Sequence, residues 1–287
     1  MDLYRLSCKE LTEYLANNRD IIFADEDWNI KLNLDLETID PWDLLVESVK
    51  QGCIVYVTML LKLYNFDNTA QLLSTAVLYN HLDILEVLLE FVKDGDDEYQ
   101  KALEIACRSN NLSAASLLFR YRDLNPNIAV KIGVPLFLAI NSRVPIKPDT
   151  AEPGDLVKFL MSKTKPDPSL YGDIMVYTGW TPLSRVTEYA IEMGSSTTLQ
   201  AILDSPNMEL PSDLTCFETL TMMAKRALQR LMTGRFTSPS ARNNAHHDLI
   251  RELNKIRVVM NDPRLVDLIP VDIRERMMSL LENEDDI

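Results

Sequence analysis

Between residues 41 and 210 the apolar side chains return every three or four positions in short runs, and the runs come in pairs split by one or two helix-ending residues. The clearest pair is residues 71–90, QLLSTAVLYNHLDILEVLLE. The pattern predicts a short helix holding Leu72, Leu73, Ala76 and Val77, a tight turn at Asn80-His81, and a second helix with Ile84, Leu85, Val87, Leu88 and Leu89 inward.

The same register returns on either side. Before it lie Leu44-Leu45, Ser48-Val49, Gly52-Cys53, Tyr56-Val57 and Met59-Leu60-Leu61; after it lie Ala102-Leu103, Ala106-Cys107, Asn110-Asn111, Ala114-Ala115 and Leu117-Leu118-Phe119. The turn residues Gly52, Asn80 and Asn110 are 28 and 30 residues apart. Glycine and asparagine are the residues that tolerate the left-handed backbone with which a helix ends.

In register and residue type these copies resemble the ankyrin repeat, which joins a short helix (Thr-Pro-Leu-His-x-Ala-Ala) to a longer one (Val-Val-x-Leu-Leu-Leu) across a glycine-histidine turn. A fourth copy opens at Val134-Pro135-Leu136 and keeps Ala139. Prolines 145, 148 and 153 then interrupt it, which predicts a loop insertion at 141–154 before a helix from Asp155 to Met161. A fifth opens with Gly179-Trp180-Thr181-Pro182-Leu183 and resumes at Ala190-Ile191, Gly194 and Leu199. The repeats are shorter than the family's roughly 33 residues, which predicts plain turns in place of long hairpin tips.

The expected organisation is all-α, an α-solenoid of about five divergent ankyrin-type helix pairs over residues 41–210. Residues 1–40 read as an N-terminal helical and acidic cap, and residues 211–287 as a C-terminal helical block without the repeat register. Within that block, helices are expected over 212–232, 246–259 and 271–281.

Composition adjusts this picture in three ways. Hydrophobic residues make up 46% and charged residues 25%, ordinary for a packed protein, and no apolar stretch is long enough to span a membrane. The four cysteines, Cys8, Cys53, Cys107 and Cys216, are far apart and read as structural thiols of a cytosolic protein. The net charge of −14 disfavours nucleic acid and anionic membrane as partners. Most of the negative charge belongs to the first 210 residues, with 18 Lys/Arg against 31 Asp/Glu; residues 225–257 reverse the sign, with eight basic residues and two acidic.

Candidate chemistry is sparse. No glycine loop for a nucleotide is present, so no cofactor is expected. His81 reads as a turn histidine bonded to backbone, His246-His247 as a polar helix start, and Asp94 to Glu98 as a solvated loop. The basic segment reads either as a site for phosphate or an acidic partner, or as internal neutralisation of the acidic array.

The ankyrin resemblance implies protein binding through the concave face, at the two residues before each turn. Carried over, these are Lys50-Gln51, Leu78-Tyr79, Arg108-Ser109, Asn141-Ser142 and Glu192-Met193, with Tyr79 and Arg108 foremost and Trp180, like Trp42, either an anchor or a core filler. The expected partner is a protein with a basic or mixed surface. Such modules occur in eukaryotic adaptors, large DNA viruses and effectors that bacteria deliver to host cytosol. The competing class is an enzyme with its active site in the C-terminal block or the 141–154 insertion and the repeats as substrate receptor, which a cleft joining Glu218, Arg226, His246 and Asp248 would support.

Overall fold

The computed structural model describes residues 40–92, 95–132, 134–141, 153–166, 186–212, 214–234, 236 and 238–282. Among the described residues the chain forms fourteen helices and no strand, in line with the all-α expectation. It divides into two units: Met1–Ile105 with Ser113–Leu124, and Ala106–Leu112 with Asn125–Ile287. The expected N-terminal cap and the 142–152 part of the insertion lie outside the described residues.

The first unit begins with α1 (Pro41–Gln51) and α2 (Ile54–Leu63), followed by α3 (Gln71–Leu78) and α4 (Leu82–Phe91). Asp40 starts α1 by accepting a bond from the Trp42 amide at 2.9 Å, and Pro41 occupies the first helical position, where no amide donor is needed. Helix α1 packs on α2 and along α3, and α4 packs on α3 and along α2, so like helices of successive pairs lie side by side. The seam is filled by Leu45, Val49, Leu73, Ala76, Ile84 and Leu85, all shut off from solvent. The next helices along the chain are α5 (Asp96–Arg108) and α6 (Leu112–Tyr121).

The turns inside the first three pairs share one construction. Gly52, Asn80 and Asn110 have φ of 76°, 58° and 52°, the left-handed conformation expected of them. In each case the amide one residue later reaches back five positions: Cys53 to the Ser48 carbonyl at 2.9 Å, His81 to Ala76 at 2.9 Å, and Asn111 to Ala106 at 2.8 Å. In each pair an orphan carbonyl of the first helix is thus satisfied by local backbone alone.

The second unit holds α7 (Pro135–Ile140), α8 (Pro153–Lys163), α9 (Val186–Met193), α10 (Ser196–Leu203), α11 (Thr215–Thr233), α12 (Pro239–Asn261), α13 (Pro263–Val266) and α14 (Val271–Glu282). Two rows of helices recur here: α7 lies along α9 and α9 along α11, while α8 lies along α10 and α10 along α12. The C-terminal helices α11 and α12 therefore extend the paired arrangement although their sequence lacks its register, and α14 packs on both.

Helix ends in this unit are closed differently. Asn141 and Gly194 follow α7 and α9 without positive φ, and side chains from distant elements reach the terminal carbonyls instead. Asn207 donates to Met161 O of α8 at 3.1 Å, Lys255 to Ile191 O and Glu192 O of α9 at 3.1 Å each, and Arg264 to Leu203 O of α10 at 2.8 Å. Two of the three are cations at the negative end of a helix dipole, where charge is favoured.

Three sequence readings need correction. Asp96 to Glu98 are not loop residues; they form the first turn of α5, where carboxylates face the positive helix end. Helix α12 starts at Pro239 rather than His246, because Ser238 caps it by accepting the Ala241 amide at 3.2 Å and Pro239 takes the first position. Cys53 is disulfide-bonded rather than a thiol, while Cys107 and Cys216 are buried thiols. No described helix is long and apolar enough to cross a membrane.

Candidate interaction surface

The surface is built from the ends of α1 and α3. Along α3, Leu72, Leu73, Ala76 and Val77 are buried, and the helical rotation then turns the next two residues outward. Leu78 is 65% exposed and Tyr79 48% exposed, an adjacent apolar and aromatic pair on a rigid support. The Tyr79 ring lies parallel to His81, with centroids 6.4 Å apart and planes at 4°. His81 in turn places its Nε2 3.1 Å from the Lys50 carbonyl, so one turn is tied to the previous turn. This matches the backbone role expected of the histidine, although the carbonyl belongs to the neighbouring pair rather than its own.

Gly52 makes that link possible. A Cβ there would stand 2.6 Å from Cε1 of His81, and φ of 76° already favours glycine. At the end of α1, Lys50 and Gln51 both donate to Glu47, at 3.3 and 2.8 Å. The Gln51 bond, helped by Lys50, holds the Glu47 carboxyl below its ordinary pKa. Lys50, Gln51, Leu78 and Tyr79 are thus brought to one edge of the first unit.

The other expected contact residues fall elsewhere. Arg108 is exposed at the end of α5, and Ser109 bonds back to Ala106 O at 3.3 Å. Asn141 and Met193 are half-buried. Glu192 is buried, its backbone carbonyl taken by Lys255, so its carboxylate is withdrawn from any outer face. Ser142 and Trp180 lie outside the described residues. Trp42 is half-buried and packs against Phe66 of the loop after α2, centroids 5.7 Å apart.

The C-terminal block holds a buried ion pair within the basic segment that the sequence offered either as a site for phosphate or an acidic partner or as internal neutralisation. Lys255 Nζ is 2.7 Å from Glu252 Oε2, with side-chain exposures of 1% and 2%. Arg251 adds a second contact to Glu252 at 2.9 Å. Burial pushes the Lys255 pKa down, and the Glu252 carboxylate opposes that shift. Part of the basic segment is therefore neutralised internally.

Glu218, Arg226 and His246 are exposed, and Asp248 is paired with Arg251 at 3.4 Å. Among the described residues no hydrogen bond or ion pair joins these four, and no cluster of three metal-ligating side chains occurs. Compared with protein-family models, curated proteins and solved structures, the chain matches none.

Proposed function

We propose that the chain is a protein-binding module of ankyrin type, an array of divergent helix pairs that engages its partner through the edge carrying Lys50, Gln51, Leu78 and Tyr79. The observation that supports this reading most directly is the exposure of Leu78 beside Tyr79, directly after the buried Ala76 and Val77 of the same helix. An apolar and aromatic pair on a fixed scaffold loses little conformational freedom on binding and has the composition of an interface anchor. The paired packing of α1 to α4 and the shared left-handed turns are the features that agree with an ankyrin array.

The described residues of the first unit include twelve Asp/Glu and five Lys/Arg. Opposite charge raises encounter rates and rejects like-charged competitors, so the matching partner is a protein with a basic or mixed surface. The test is capture from cytosol with wild type beside a Leu78→Ala/Tyr79→Ala variant whose circular dichroism and melting curve are unchanged. Loss of specific bands from the variant is expected; a variant that retains every band overturns the assignment of this edge.

A further inference from the structure

Helix α11 turns one half of its surface to solvent. The buried side is Cys216, Phe217, Leu220, Thr221, Ala224 and Ala227, and at 100° per residue the opposite side collects Met222, Lys225, Arg226, Gln229, Arg230 and Met232. All six are exposed, Met232 at 75% and Met222 at 42%. Lys225, Arg226 and Arg230 have no ion-pair partner among the described residues, in contrast to the paired Arg251 and Lys255 further on. The face carries one carboxylate, Glu218, at its N-terminal end. This concentration of unneutralised positive charge stands in a chain whose net charge is −14.

We propose that this face is a second docking surface, and that its occupant is an acidic protein segment with apolar residues at helical spacing. Charge complementarity selects an acidic occupant, and the three cations fall within two turns of one helix, so they act on it together. The two methionines select a protein segment over other polyanions: flexible thioethers pack against apolar side chains of varied shape, and a phosphate backbone offers them nothing to contact. The net negative charge of the whole chain further disfavours a long polyanion such as nucleic acid, whereas a short segment meets only the local field. The face belongs to the second unit, and the proposal does not rest on the Leu78–Tyr79 edge of the first.

The probe is a fluorescein-labelled peptide of about twenty residues with leucine on one helical face and glutamate on the other, followed by anisotropy with the full chain. Saturable binding is expected, weakened about tenfold or more by Lys225→Glu/Arg226→Glu/Arg230→Glu and by raised salt, and weakened by Met222→Ala/Met232→Ala at unchanged salt dependence. Leu78→Ala/Tyr79→Ala leaves this binding intact, which separates it from the function proposed above. The methionine pair alone decides the matter if the charge-reversed variant fails to fold. Four results overturn the proposal: no saturable binding, equal binding by the variants, tighter binding of anionic vesicles or duplex DNA than of the peptide, or sedimentation of a dimer that the charge reversal dissolves, which would make a second copy the occupant.

Discussion

Replacing Lys255 with methionine isolates the energetics of the buried pair. The ammonium forms an ion pair with Glu252 Oε2 at 2.7 Å and donates to the Ile191 and Glu192 carbonyls at 3.1 Å. Methionine fills a similar volume and donates nothing, so two terminal carbonyls of α9 lose their donor at about 1 kcal/mol each. Glu252 keeps its 2.9 Å contact with Arg251, which is 39% exposed, and so loses only part of the roughly 3–5 kcal/mol that follows when one partner of a buried pair is removed. The expected total is about 3–4 kcal/mol for Lys255→Met.

The double variant Glu252→Met/Lys255→Met removes the stranded carboxylate as well, leaving mainly the carbonyl loss, about 2 kcal/mol. The double variant should therefore be the more stable of the two. Because the chain has two units, a single unfolding midpoint is not a safe measure; native-state hydrogen exchange of residues 186–193 and 239–261, resolved by mass spectrometry, reads the local opening energies. A loss under about 1 kcal/mol for Lys255→Met, or a double variant less stable than the single, refutes the reasoning.

The same group sets a pH test. Burial lowers the folded pKa of Lys255 below its ordinary 10.5, so between the folded value and 10.5 the unfolded chain holds the proton and the folded chain does not. Stability from this group is lowest below the folded pKa and rises as pH climbs towards 10.5. Lys255→Met should abolish that rise, and a variant with an unchanged alkaline profile contradicts the sign.

Two further substitutions test the turns and the packing. Gly52→Ala should cost more than Asn80→Ala, by chemical denaturation: both lose tolerance of a left-handed backbone at about 1 kcal/mol, but only the former drives a Cβ to 2.6 Å from the His81 ring. Equal losses would mean that His81 is free to move aside. Ala106→Arg places a guanidinium where the side chain is fully buried, so a loss of about 3 kcal/mol or more and a clearly lower melting temperature are expected; an unchanged melt contradicts the placement of Ala106.

The first three helix pairs were legible in the sequence because every signal needed was local. Apolar spacing chose the buried faces, and Gly52, Asn80 and Asn110 announced helix ends that close through bonds spanning five residues. Leu78 and Tyr79 came instead from the ankyrin resemblance, as the two positions before a turn, and both are exposed. In the second unit the closures come from Asn207, Lys255 and Arg264, 46 to 64 residues away from the carbonyls they serve, and no local pattern encodes such partners. Glu192 therefore stood among the expected contact residues and Lys255 among the cations of the basic segment, whereas tertiary packing buries both. The paired stacking of α11 and α12 was hidden for a related reason: they are longer than the preceding helices and lack their sequence register, while their contacts follow the same order.

The Lys255 bond to α9 also bears on how the chain can be made. Residue 255 is translated 64 positions after the carbonyl it caps, so while a nascent chain is still on the ribosome α9 stands with its last turn open to water. Its final docking awaits the arrival of α12, and a chain interrupted between α11 and α12 has nothing to supply that cation.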